Sequence, residues 1–216
     1  MCMEIDKKFN NLDKTKAYWL GFLAADGYVY KNYLCLGISE KDLEHLKKFK
    51  NFMEVKNKIE ENDITNSVRI RIGNKKLVKN LKRYNIRPRK SYMNESLIEY
   101  IPDSMKGFFI AGFFDGDGSV FSYKAHKGEH YAVNITSNKQ TLEDIIKFFS
   151  KFYNFRKLTL IRNSSVWRLR WDSKHDIKEF FKLYKKSPIH LRRKMEKFND
   201  IIPKIERKVG RNYLQS

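Results

Sequence analysis

The sequence predicts an α/β protein of two pseudo-symmetric αββαββα halves, each with an antiparallel, saddle-shaped sheet, packed through a pair of equivalent helices. Three observations lead there. Two nearly uncharged apolar runs, Trp19-Leu20-Gly21-Phe22-Leu23-Ala24-Ala25-Asp26-Gly27 and Ile110-Ala111-Gly112-Phe113-Phe114-Asp115-Gly116-Asp117-Gly118, both close on Asp-Gly and lie 91 residues apart. At a shift of 99, Leu43, Glu44 and Phe49 lie on Leu142, Glu143 and Phe148, and Lys75, Val78, Lys79 and Leu81 lie on Lys174, Ile177, Lys178 and Phe180. The same shift lays Val68-Arg69-Ile70-Arg71-Ile72 on Trp167-Arg168-Leu169-Arg170-Trp171. A duplicated unit of helix, two strands, helix, two strands, helix accounts for all three.

The elements follow in order. Asp13 or Thr15 can cap a helix that runs through the first apolar stretch to Gly27. Residues 28–39, rich in Tyr, Val, Leu and Ile with Lys31-Asn32 as a turn signal, read as a hairpin. Leu43, Leu46, Phe49 and Met53 recur at helical spacing over 42–53. Strands are expected at 56–60 and 67–72, then a helix over 75–85. A linker at 95–102 divides residues 1–98, whose motif is 18–27, from residues 99–216, whose motif is 109–118. The second half repeats the order: a motif helix over 107–117, starting as early as 102–104, strands at 119–123 and 131–136 around a loop at 124–130, and a helix over 141–152. Strands at 158–161 and 166–171, a helix over 174–184 and a final helix over 191–202 complete it.

Small residues four apart, Gly21 with Ala25 and Gly112 with Gly116, share one helix face. Two helices can bring their backbones together there. Each aspartate then falls at a helix end beside a glycine able to terminate it, and crossed helices deliver Asp26 and Asp117 to nearly the same place. Two neighbouring carboxylates repel unless a cation lies between them. A hard divalent ion such as Mg²⁺, or Mn²⁺, takes oxygen ligands and shares them with phosphate. Residues of the form apolar-Arg-apolar-Arg-apolar put one face in the core and Arg69, Arg71, Arg168 and Arg170 on the other. Arginine makes bidentate contacts to guanine and pairs with phosphate.

Composition points to the same partner. The 216 residues carry 45 Lys and Arg against 25 Asp and Glu, a formal charge of +20. Such an excess calls for a polyanion, with nucleic acid the usual one. No apolar run approaches the roughly 20 residues that span a bilayer, and no basic amphipathic helix dominates, so no membrane partner is expected. Glu4, Asp6, Lys7 and Lys8 interrupt any signal peptide. Cys2 and Cys35 are the only cysteines, too few for a zinc or disulfide framework, and the five histidines show no ligand spacing. A reducing intracellular compartment fits, whether bacterial or phage cytoplasm or that of an organelle-encoded protein.

Both motifs resemble the LAGLIDADG signature of homing endonucleases, in the single-chain form with two copies. The second copy matches closely; the first has Ala24 where the family often has an acid but keeps the final Asp-Gly. The resemblance covers nearly the whole chain. It implies packing through the two motif helices, a monomer, and Mg²⁺-dependent hydrolysis of both strands of a long, non-palindromic DNA site with 3′ overhangs. It makes Asp26 and Asp117 the metal-binding catalytic residues and Asp115 structural, and it assigns no role to the backbone at Ala25. It implies a basic residue past the helix that ends each repeat, for which Lys90 and Lys194 are chosen over Arg89 and Arg193, and a water-network role for Glu40 and Ser137. A free-standing, intron-encoded protein is expected rather than an intein. An RNA maturase assisting intron splicing and a non-cleaving DNA-binding regulator remain the alternatives.

Overall fold

The structure, a computed structural model, describes residues 5–88, 94–125 and 128–210. In the first half, α1 (Lys14–Asp26) is followed by β1 (Gly27–Tyr30), β2 (Tyr33–Ser39), α2 (Leu43–Met53), β3 (Ile59–Asn62), β4 (Ser67–Gly73) and α3 (Lys75–Lys82). The second half repeats this with α4 (Asp103–Asp117), β5 (Gly118–Ala125), β6 (Gly128–Ser137), α5 (Lys139–Phe152), β7 (Thr159–Asn163), β8 (Val166–Trp171) and α6 (Lys174–Lys185), and α7 (Arg192–Gly210) is added at its end. Each half holds one antiparallel four-stranded sheet, ordered β1-β2-β4-β3 and β5-β6-β8-β7.

Local chemistry explains the helix starts. Asp13 accepts from the Lys16 N–H, Asn74 from Leu77, Asn138 from Thr141 and Ser173 from Asp176, each satisfying an N–H that the helix itself cannot pair. Helices α2, α3, α5 and α6 bury one stripe against their sheet. By contrast α1 is buried without interruption from Ala17 to Ala24, and α4 from Phe109 to Asp115. Helices apolar all round belong inside, and these two cross at the centre of one continuous core.

Several boundaries depart from the sequence reading. Most of the expected loop at 124–130 is strand: β5 and β6 pair out to Ala125 opposite Gly128. Polar residues on both faces of that arm hid it, because alternation is informative only where one face is buried. β3 begins at Ile59, three residues later than expected. α3 stops at Lys82 because Asn85 turns left-handed (φ 58°) and its side chain binds the Ser96 carbonyl. α7 runs past Pro203, since Phe198, Ile201 and Ile205 keep a buried stripe going across the proline. The segment expected as a linker is packed: Leu97, Ile98 and Ile101 are in the core, and the Leu97 N–H is held by Thr141 Oγ1.

Each motif helix passes directly into its first strand. Gly27 and Gly118 are extended rather than left-handed, with φ of −72° and −99°. They are glycines for steric reasons: a methyl on Gly27 would lie 2.5 Å from the Leu23 carbonyl oxygen, and one on Gly118 would lie 2.6 Å from that of Phe114.

Candidate active site and nucleic-acid interface

The helix crossing sets the site. A methyl on Gly21 would overlap the Phe109 carbonyl oxygen, and one on Gly112 would overlap that of Tyr18, so backbone meets backbone at both glycines. One turn further on, Gly116 faces Ala25, and its Cβ position lies only 3.0 Å from Oδ2 of Asp26. The Asp26 carboxylate therefore rests against the residue that precedes Asp117. Asp26 is half-buried and Asp117 exposed, so the pair opens to solvent at the end of the crossed helices.

Beneath that opening lies a buried polar cluster. Asp115, 1% exposed, accepts from Tyr184 Oη on Oδ1 (2.6 Å) and from Tyr18 Oη (2.6 Å) and the Leu191 N–H (2.8 Å) on Oδ2. Burial pushes its carboxyl up from the ordinary value, while Lys194, the two tyrosines and Leu191 pull it down. The Tyr18 proton is committed to Asp115, so at the 2.9 Å contact between Tyr18 Oη and His45 Nε2 the imidazole donates. Burial, with Lys48 and Lys194 nearby, lowers the His45 pKa to about 3, which keeps the ring neutral.

Lys194 is 2% exposed. Its ammonium donates to the carbonyls of Asp115 (2.7 Å) and Gly118 (2.6 Å) and also binds that of Phe114, and so spans the junction where α4 passes into β5. Burial lowers its pKa to about 8, against the opposing pull of Asp115, Asp26 and Asp117. The neighbouring Arg193 does something different: its Nε binds both oxygens of Asp42 (3.0 and 3.1 Å), fastening α7 to the first half. Lys90 and Arg89 lie outside the described residues. Glu40 is exposed in the turn after β2, and Ser137 is buried at the end of β6 on the core side.

The arginines project from the outer faces of matching strands. In the first sheet, register places Arg71 beside Cys35 and Arg69 beside Gly37, next to the exposed Tyr28, Tyr30 and Tyr33. Glu60 holds both, with Arg69 Nε at 2.7 Å and Arg71 Nη2 at 3.8 Å. In the second sheet, Arg168 lies beside Thr136 and Arg170 beside Asn134. The Arg170 guanidinium stacks over Tyr123 (5.2 Å) and Phe121 (5.8 Å), and Arg168 Nε is buried with no hydrogen-bond partner. Trp167 and Trp171 point the other way, into the core with Leu169. What distinguishes the two outer faces beside the arginines is Cys35 and Gly37 against Asn134 and Thr136.

Among the described residues, no three His, Cys, Asp or Glu side chains form a ready-made metal cage. Two carboxylates at a solvent-open point suit a hard divalent ion that completes its shell with water and phosphate oxygens. Sequence reasoning missed the Tyr18–Asp115–Tyr184 cluster and Glu60. The signal for the first was present in the motif itself, where Asp115 has no counterpart in Ala24.

Two crossed motif helices feeding two four-stranded antiparallel sheets, with paired aspartates at the helix ends, define the fold of single-chain LAGLIDADG homing endonucleases. Solved structures of such proteins superpose along almost the whole chain. I-AabMI bound to uncleaved DNA matches with a TM-score of 0.64 at 17% identity, over 91% of this chain and 92% of its own. I-LtrWI bound to target DNA gives 0.64 at 14% identity, over 92% of each chain. I-SmaMI bound to cleaved DNA gives 0.65 at 16% identity, over 95% of this chain and 92% of its own. No family model matches the sequence, and no curated protein matches it. No helix among the described residues is long and apolar enough to cross a membrane.

Proposed function

We propose that the chain is a site-specific double-strand DNA endonuclease that acts as a monomer on a long, non-palindromic target. The observation that carries this is the meeting of the motif ends, with the Asp26 carboxylate against Gly116 and Asp117 the next residue. A protein that only binds DNA has no use for two carboxylates converging between two basic sheet faces. DNA carried by the structurally similar homing endonucleases supports the same partner.

Asp26 and Asp117 would hold Mg²⁺ or Mn²⁺ together with scissile phosphate oxygens. Bound there, a divalent ion stabilises charge on the phosphate and lowers the pKa of its water. The remaining work falls to the chain. Arg69 and Arg71 on one side, and Arg168 and Arg170 on the other, orient the duplex, and the backbone contact at Gly21 and Gly112 fixes the spacing of the two carboxylates. Lys194 holds the end of α4, and with it Asp117, by binding the last carbonyls of the helix. Its positive charge lies under the site, where negative charge grows during cleavage.

The test is a selection from randomised duplexes in Mg²⁺ with recovery of cut ends. The expected result is cleavage of both strands at a defined, asymmetric sequence. Absence of cutting, combined with tight binding to a folded intron RNA, would replace this reading with the maturase.

A further inference from the structure

The two motif helices share a backbone course but differ at a buried pair of hydrogen-bonding positions. At the shift of 91 that lays one motif on the other, Tyr18 falls on Phe109 and Ala24 on Asp115. The ring packing is the same on both sides: Tyr18 stacks on Phe22 at 6.4 Å and 14°, and Phe109 on Phe113 at 6.1 Å and 13°. The hydroxyl and the carboxylate are not repeated. These two groups bond to each other across the boundary between the halves.

Asp115 and Lys194 form a reciprocal clasp between two helix ends. Asp115 accepts the Leu191 N–H at the start of α7, an N–H without a helical partner. Lys194, in the first turn of α7, returns to bind the Phe114 and Asp115 carbonyls in the last turn of α4 and the Gly118 carbonyl just past it. A negative group meets a helix N-terminus and a positive group a C-terminus, so both contacts also suit the helix dipoles. Tyr18 and Tyr184 hold the Asp115 oxygens in one orientation. The clasp therefore fixes Lys194 and the last turn of α4, where Asp117 lies. Ala24 has no carboxylate with which to build the same clasp at the end of α1.

We propose that Asp115 and Tyr18 are positioning residues that serve the cutting site of the second half alone, so that the two DNA strands are cut by structurally unequal sites. This rests on the nuclease reading above. Its consequence is specific: loosening the clasp slows one strand and spares the other, whereas a general loss of packing slows both.

The experiment compares wild type with Tyr18→Phe and Asp115→Asn by two readouts. In the free protein, acetic anhydride labelling followed by mass spectrometry gives the reaction rate at each lysine. On the selected duplex, single-turnover assays with either strand end-labelled give two cleavage rates. Tyr18→Phe is expected to raise labelling at Lys194 about tenfold relative to other lysines, and to slow one strand about tenfold, the scale of one lost hydrogen bond to a charged group. The other strand should stay within about twofold. Equal slowing of both strands, or unchanged labelling of Lys194, overturns the proposal. If Asp115→Asn does not fold, Tyr18→Phe, which removes a single hydroxyl, carries the test. If wild type cuts no duplex, the nuclease reading falls, and the labelling alone decides whether Tyr18 positions Lys194.

Discussion

Replacing Gly112 by alanine isolates the helix crossing in one methyl group. That methyl would overlap the Tyr18 carbonyl oxygen and lie 2.8 Å from its carbon and 3.0 Å from the Phe22 nitrogen. All three are backbone atoms of a buried helix, so no rotamer change relieves the contact and the helices must separate. Overpacking of this kind costs on the order of 1–3 kcal/mol, and the rigidity of the obstacle places it toward the upper end. Alanine regains up to about 1 kcal/mol over glycine in a helix, leaving a net loss of about 2 kcal/mol. At a urea slope of about 2 kcal/mol/M, the unfolding midpoint falls by about 1 M. Gly107→Ala in the same helix is the control, because its methyl meets only side chains at 3.5 Å or more. It should leave the midpoint unchanged or raise it. Gly112→Leu should lose cleavage out of proportion to stability, since the spacing of Asp26 and Asp117 tolerates less error than the fold does. A Gly112→Ala midpoint equal to that of Gly107→Ala would refute the close backbone contact.

Other outcomes follow from the same geometry. Lys194→Met should slow cleavage with little change in DNA affinity, because the ammonium faces carbonyls under the site rather than the duplex; single-turnover rates and gel shifts separate the two effects. His45 should make stability acid-sensitive. Its folded pKa of about 3 lies below the unfolded value, so the unfolded chain binds the extra proton as pH drops through about 6.5, and stability is lost from there down to about pH 3. Urea midpoints across that range should fall less steeply for His45→Gln than for wild type. Alanine at Arg69, Arg71, Arg168 or Arg170 should relax base preference in one half-site, at about 1–3 kcal/mol per bidentate contact. A uniform loss across sequences, with the salt slope reduced by about one, would instead mean that the residue only neutralises phosphate.

The fold was legible in the sequence because duplication doubled every weak signal. One apolar run ending in Asp-Gly is ambiguous, but two at matched positions, each followed by the same order of periodicities, are not. The alternation of Val68, Arg69, Ile70, Arg71 and Ile72 gave the orientation of β4 directly, because one face is buried and the other is not. The β5–β6 arm was hidden because neither of its faces is apolar. At the site, residue types and approximate places could be read from the motif ends, but partners could not. Lys194 and Arg193 are adjacent cations in sequence, and only the packing of α7 sends one to the α4 carbonyls and the other to Asp42. Tyr18 read as one more aromatic on a buried helix, and the contact that gives it a further role comes from a residue 97 positions away.

The central claim is that Asp26 and Asp117 together make the cutting site. It is tested most directly by single-turnover cleavage of the selected duplex in Mg²⁺ by Asp26→Asn and Asp117→Asn, with binding measured on the same duplex. Each substitution removes one charge from the pair and leaves the arginine faces intact, so each should abolish double-strand cleavage while binding stays close to wild type. Wild-type cleavage of both strands by either variant would contradict the account.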